Sequence, residues 1–138
     1  MANRSAGIAR DGSVKLLLDT HTFLWWLSSP DQILPATAMQ IADANNEIFV
    51  SVVLLWEIAI KRTIGKLQAP IDLQLDVARV GFKLLPITVN HIVATERLRL
   101  HHRDPFDRML IAQAEQEQAT LVTRDPQFPP YGIPLLNA

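Results

Sequence analysis

Short apolar runs alternate with helix-like segments along most of this 138-residue chain. Each run is four or five residues long, which fits a buried strand, while the intervening segments carry apolar residues at helical spacing. Parallel strands need long crossover connections, so this alternation predicts an α/β fold with a mostly parallel central sheet of about five strands between layers of helices. The predicted strands cover residues 14–18, 47–50, 84–87, 120–123 and 133–136.

Capping residues set the ends of the predicted helices. Ser51 and Thr88 are N-cap residues, Gly65 ends a helix, and Pro105 suits a first helical position because that position needs no backbone donor. The predicted helices cover residues 22–28, 35–45, 52–64, 72–82, 89–98 and 105–117.

The composition fits one globular domain, predicted over residues 14–138. Hydrophobic residues make up 49% and charged residues 20% of the chain. Residues 1–13 are polar and without apolar periodicity, so we predict a flexible leader or tail outside the fold. No apolar run is long enough to cross a membrane, and the lack of cysteine excludes thiolate metal sites and is compatible with a cytoplasmic location. A net charge of −1 means that nucleic-acid binding would need a local basic patch and metal ions.

Four acidic residues occupy comparable positions in the predicted fold. Asp19 and Asp125 follow strands, Asp107 lies at the start of a helix, and Glu57 lies inside an apolar helix. Open α/β sheets bind ligands at the carboxyl edge of their strands. Because clustered carboxylates repel each other, Mg²⁺ or Mn²⁺ is the cation that best explains the four together. The sequence therefore predicts a divalent-metal site suited to phosphodiester chemistry.

Three of these acids also have a purely structural interpretation. Asp19 would serve as the cap of the turn after its strand, and Asp125 as part of an Asp-Pro turn. Glu57 would pair with Lys61 one helical turn later, an arrangement that does not exclude a metal.

The start of the 105–117 helix carries two acids, and we assign them different roles. Asp104 is mainly the helix cap, whereas Asp107 shares a helix face with Leu110 and Ile111 and so points toward the sheet. Histidine is poorly placed for a zinc site, because two of the four are adjacent and two are isolated: His101, His102, His21 and His91.

The acids lie in motifs that together resemble one protein family. The motifs are LDTHTFLW at 18–25, WEIAIK at 56–61 followed by GKL at 65–67, HRDPFDRMLIAQA at 102–114, and LVTRD at 121–125. In this order and spacing they resemble the PIN-domain family, and more narrowly the VapC toxins of type II toxin–antitoxin modules. The resemblance extends over residues 14–136.

The resemblance implies an α/β/α fold and a Mg²⁺- or Mn²⁺-dependent ribonuclease. By motif position, its acidic quartet corresponds to Asp19, Glu57, Asp107 and Asp125. It also implies a homodimer and inhibition by a cognate antitoxin whose tail occupies the active-site groove. His21 stands where many PIN domains have Asn, although the narrower Asp-Thr-His group shares the histidine.

In the resulting hypothesis, Asp19 and Asp107 hold the principal ion, and Glu57 and Asp125 complete the site directly or through water. Three hydroxyls are candidates for orienting the acids: Thr20, Ser51 and Thr123. Five cations are candidates for phosphate contacts, unless they only neutralise the acids or are solvated: Arg103, Arg108, Arg124, Lys61 and Lys66. Trp25 and Trp26 fit core or dimer packing better than base stacking.

A non-catalytic RNA-binding or scaffold module on the same fold is the alternative that the sequence leaves open. Two phosphoaspartate classes fit worse. A haloacid-dehalogenase-type phosphatase needs a second aspartate at the position of His21. A receiver domain needs a phosphoacceptor aspartate after its third strand, where this chain has Pro86-Ile87-Thr88.

Overall fold

The computed structural model describes residues 13–138 and contains one five-stranded sheet flanked by helices. All strands are parallel, in the order β3-β2-β1-β4-β5, which confirms the predicted α/β class and strand count. The strands are β1 (Lys15–Leu18), β2 (Glu47–Ser51), β3 (Lys83–Leu85), β4 (Thr120–Thr123) and β5 (Leu135–Asn137).

Six α-helices and two short 3₁₀ helices connect the strands. The α-helices are α1 (Thr20–Ser28), α2 (Pro35–Ala42), α3 (Val52–Thr63), α4 (Leu73–Arg79), α5 (Val89–Arg97) and α6 (Pro105–Glu117). The 3₁₀ helices are Pro30–Gln32 and Pro129–Tyr131.

Several predicted boundaries were wrong by one to three residues, and local backbone chemistry gives the reasons. α1 begins at Thr20 rather than at 22 because Asp19 is its N-cap. α2 ends at Ala42 rather than at 45, since the Asp43 side chain accepts the Asn45 amide in a turn. Asp72, the predicted start of α4, has a left-handed φ of 57° and lies outside the helix.

Three other boundaries differ from the prediction. α4 stops at Arg79, because Val80 leaves the helical conformation and Gly81 has a positive φ. β3 begins one residue early, at Lys83, which pairs with Phe49 of β2. β5 begins at Leu135, beyond Pro134, which has no backbone donor for the ladder.

β1 lies at the centre of the sheet and of the hydrophobic core. Leu16, Leu17 and Leu18 are at most 1% exposed, as expected for a parallel strand covered on both faces. β1 pairs with β2 on one side and β4 on the other, and the Asp19 amide donates to the Val122 carbonyl at 3.1 Å. The parallel ladders therefore place the residues that follow β1 and β4 side by side at the carboxyl edge.

The predicted leader covers residues 1–13, and residues 1–12 of it lie outside the described part of the chain. Ser13, its last residue, is described and is buried at the start of the fold. Among the described helices, none combines the length and apolarity that a membrane span requires.

Candidate functional site

A pocket of about 460 Å³ opens at the carboxyl edge of the sheet, and five carboxylates line it. Four are the predicted acids and the fifth is Asp104. The lining residues with ionisable or polar side chains are Asp19, Thr20, His21, Glu57, Lys61, Lys66, His102, Asp104, Asp107, Asp125 and Gln127. The fold therefore brings together residues from α1, α3, α6 and the segment after β4.

Asp19 is both a helix cap and a wall of the pocket. Its Oδ1 accepts the Thr22 amide at 2.9 Å, and the residue is 8% exposed. The capping interpretation is thus correct for Asp19, and it does not compete with a place in the pocket. A cap at the start of α1 also puts the carboxylate next to the positive end of the helix dipole.

Glu57 is 6% exposed and has two side-chain partners. Thr20 Oγ1 donates to Oε1 at 2.7 Å, and Lys61 Nζ lies 2.9 Å from Oε2. The hydrogen bond to Glu57 raises the pKa of Lys61, and the charges of Glu57, Asp104 and Asp107 add to this effect while burial opposes it. The predicted Glu57–Lys61 pair is therefore present, and it neutralises one acid of the pocket.

Asp104 and Asp107 lie one turn apart at the start of α6. Asp104 Oδ1 accepts the amides of Phe106 at 2.8 Å and Asp107 at 3.1 Å, so it is the N-cap as predicted. Asp107 Oδ2 lies 2.6 Å from His102 Nε2. The pKa of Asp107 is raised from 3.8 to about 6, chiefly by burial and in smaller part by the charges of Asp104 and Glu57, while His102 opposes the rise.

His102 belongs to the site although sequence reasoning passed over it. One ligand atom from each of His102, Asp104 and Asp107 lies within 4.8 Å of the others, a spacing at which the three could hold one metal ion. The spacing of histidines along one helix does not show this contact, because His102 reaches Asp107 across the turn that starts α6. Its place at the start of the HRDPFDR motif was the available signal.

Asp125 also lines the pocket, from the segment that follows β4. Its Oδ1 accepts the Gln127 amide at 2.9 Å, and its own amide donates to Thr123 Oγ1 at 3.0 Å. Of the three hydroxyls predicted to orient the acids, Thr20 binds a carboxylate and Thr123 fixes the Asp125 backbone. Ser51 instead accepts the Val53 amide as the cap of α3, because it ends β2 directly before that helix.

Two predicted phosphate contacts have structural partners instead. The Arg124 guanidinium donates to the carbonyls of Gln32 and Ala138 and lies 4.4 Å above the Trp25 ring. The Arg108 guanidinium donates to the Tyr131 hydroxyl and to four backbone carbonyls, those of Thr95, Leu98, Arg99 and His102. Both arginines therefore hold the chain together rather than offering free positive charge.

The two adjacent tryptophans pack within the protein, as predicted. Trp26 lies 6.0 Å from the Phe82 ring, and Trp25 lies beneath Arg124. Both are partly buried against the core.

Comparison with known proteins identifies the family to which this chain belongs. The family model described as PIN domain matches residues 16–133, which is most of the chain. This chain belongs to the PIN domain family. No protein with a curated description matches it significantly.

Solved structures share the PIN fold at low sequence identity. VapBC2 from Rickettsia felis, bound to a promoter DNA fragment, is 20% identical with a TM-score of 0.69, over 90% of this chain and 98% of the other. VapBC from Salmonella typhimurium, bound to DNA, is 18% identical with a TM-score of 0.66, over 89% and 97%. A toxin–antitoxin complex from Klebsiella pneumoniae is 19% identical with a TM-score of 0.59, over 88% and 95%. These likenesses establish the shared fold.

Proposed function

We propose that this PIN domain is a divalent-metal-dependent ribonuclease and the toxin of a type II toxin–antitoxin module. The observation that carries the proposal is the convergence of five carboxylates in one pocket at the carboxyl edge of a PIN fold. One lysine and one histidine contact these acids, through Glu57 and Asp107. This leaves an excess of negative charge that a structural role alone does not require.

The donor set fits a hard divalent cation. Carboxylate oxygens are the ligands that Mg²⁺ and Mn²⁺ prefer. The raised pKa of Asp107 reflects a half-buried carboxylate whose loss of water is not fully offset by His102, and a bound cation would offset it. Asp19 and Asp107 would hold the principal ion, and Glu57 and Asp125 would complete the site directly or through water. Asp104 and His102, which the sequence did not place in the site, extend this set on the α6 side.

The chain's own residues prepare the pocket for this role. Thr20 and Lys61 fix both oxygens of Glu57, so that its carboxylate has one orientation. His102 does the same for one oxygen of Asp107. When bound, the cation would activate a water molecule and stabilise the leaving oxygen of the phosphodiester.

The biological setting follows from the same likeness. The structural neighbours are toxin–antitoxin complexes, so the proposed partners are a cognate antitoxin that blocks the pocket and a second copy of this chain. The proposed substrate is RNA, and the proposed location is the cytoplasm. An adjacent gene for a small DNA-binding antitoxin would support the assignment.

The test is RNA cleavage by the purified protein with Mg²⁺ or Mn²⁺, compared with the Asp19→Asn variant. Asparagine is as good an N-cap as aspartate, so the variant should fold while losing cleavage. The matched control, Glu96→Gln, removes an exposed acid of α5 outside the pocket and should cleave like the wild type. Cleavage at the wild-type rate by Asp19→Asn, or in excess EDTA, would refute the mechanism.

The alternative is a non-catalytic RNA-binding or scaffold module on the same fold. Such a protein should neither bind the ion in calorimetry nor cleave RNA. Ion binding with cleavage supports the ribonuclease, and the absence of both supports the scaffold.

A further inference from the structure

Four cations within residues 13–138 have side chains that make no hydrogen bond or ion pair with the protein. The chain has thirteen Lys and Arg residues, and eleven remain after Arg4 and Arg10 of the undescribed segment are set aside. Seven of the eleven bind carboxylates, carbonyls or a hydroxyl: Lys15, Lys61, Arg62, Arg79, Lys83, Arg108 and Arg124. The four without such a partner are Lys66, Arg97, Arg99 and Arg103.

These four cations are not scattered over the surface. Lys66 lines the acidic pocket. Arg97 and Arg99 line a second groove of about 450 Å³, with Glu115 as the acid in its wall. Arg103 is exposed and stands between His102 and Asp104, both of which line the acidic pocket. Three of the four, Arg97, Arg99 and Arg103, therefore lie on the segment from the end of α5 to the start of α6, whereas Lys66 follows α3.

Tyr131 connects the second groove to the acidic pocket. Its side chain lines the groove, and its hydroxyl accepts the His102 amide at 2.8 Å. His102 in turn contacts Asp107 at 2.6 Å. Two hydrogen bonds, Tyr131 to His102 and His102 to Asp107, thus link a residue of the groove to an acid of the pocket.

We propose that Arg97 and Arg99 bind backbone phosphates of the RNA strand beyond the phosphate held in the acidic pocket, an inference that rests on the proposed ribonuclease function. With a net charge of −1 and five acids in the pocket, the chain has no general attraction for RNA. Association then depends on local cations. Guanidinium groups match phosphate geometry, and these two would lose no intramolecular bond on contact. Two arginines against one glutamate leave the groove positive.

The experiment measures binding of a fluorescein-labelled, mixed-sequence, single-stranded 20-nucleotide RNA by anisotropy across a salt series. The Asp19→Asn background prevents cleavage. Each phosphate contact on a single strand contributes about 0.7 to the slope of log Kd against log salt, so Arg97→Ala with Arg99→Ala should lower the slope by about 1.4. This corresponds to about 25-fold weaker binding at 0.1 M salt, taking 1 M as the reference.

Two further variants separate phosphate binding from a general loss of charge. Arg97→Lys with Arg99→Lys should retain most of the slope, because lysine also binds phosphate. Arg79→Ala removes an arginine of α4 that lines neither cavity and should bind RNA unchanged. Circular dichroism should give the same folded signal for all variants, since both groove arginines are exposed.

The outcomes distinguish this inference from the proposed function. If the wild type cleaves RNA but the double alanine variant keeps the wild-type slope, the groove assignment is wrong and the ribonuclease stands. If the slope falls but the wild type does not cleave, the groove binds RNA and the ribonuclease proposal fails. If the double variant loses binding of a polyglutamate peptide while its RNA slope is unchanged, the groove serves an acidic protein segment and the RNA assignment is refuted.

Discussion

Replacing Asp107 with asparagine should stabilise the metal-free protein at neutral and higher pH. The carboxyl group of Asp107 has a pKa of about 6 in the folded protein, compared with its ordinary value of 3.8, chiefly because of burial. Asparagine has nearly the same shape, carries no charge, and can still hydrogen-bond with His102. The substitution therefore removes the cost of ionising a half-buried carboxyl group while preserving the contact with His102 at 2.6 Å.

The expected magnitude follows from the difference in pKa. Because the folded state binds the proton more tightly than the unfolded state, the stability of the wild type falls as pH rises from about 4 to about 6. A rise from 3.8 to about 6 corresponds to at most about 3 kcal/mol once the group is ionised in both states. Asp107→Asn should be more stable than the wild type by about 1–3 kcal/mol above pH 7, and by much less at pH 4.5.

Urea unfolding at pH 4.5 and 7.5 with EDTA measures this difference, and a divalent ion should then reverse it. Free Mg²⁺ or Mn²⁺ at a hundred times its Kd would stabilise the wild type by about 2.7 kcal/mol and the variant by much less. Glu96→Gln, which removes an exposed acid, should follow the wild type throughout. If the free energies of unfolding of Asp107→Asn and the wild type differ by the same amount at both pH values and with either ion, the reasoning about Asp107 is refuted.

Two further substitutions test contacts around the pocket. Lys61→Met should lower the free energy of unfolding at pH 7 by about 1–2 kcal/mol in urea titration, because Glu57 loses its ion-pair partner at 2.9 Å. The 44% exposure of Lys61 keeps the loss small, and an unchanged free energy of unfolding would contradict the pairing. Arg108→Ala should destabilise the fold by about 2–4 kcal/mol in the same assay, because carbonyls at the end of α5 lose their donor. Its control, Arg103→Ala, should change the free energy of unfolding by less than about 0.5 kcal/mol. Equal effects of the two substitutions would rule out a structural role for Arg108.

Most of the fold was predictable from the sequence because it depends on local patterns. The run of Leu16, Leu17 and Leu18 gave the central strand, and Pro105 gave the start of α6. The errors occurred where a single side chain or φ angle decides a boundary. Aspartate adopts the left-handed conformation more often than most residues, but its type alone does not place that conformation at Asp72. The reach of Asp43 to the Asn45 amide depends on the turn that it helps to form.

The acids of the site were predictable for the same reason, whereas their partners were not. Asp19 and Asp125 follow strands, so a parallel sheet brings them to one edge whatever the details of packing. The contact between His102 and Asp107 depends on the path of a loop outside regular structure. The use of Arg108 by carbonyls of the α5 end depends on how α5 packs against α6, a relation that spacing along one helix does not contain.

The five acids of the pocket are held in three different ways, and this difference locates where an ion should act. Asp19, Asp104 and Asp125 accept backbone amides, and Glu57 accepts Thr20 and Lys61. Among the described residues, Asp107 is the acid of this pocket whose carboxylate contacts one histidine and neither a backbone amide nor a lysine. Backbone amides cost no reorganisation, so the first three acids are stabilised as soon as the chain folds. The folding cost of the cluster therefore falls mainly on Asp107, and the stabilisation that a bound ion provides should appear there first.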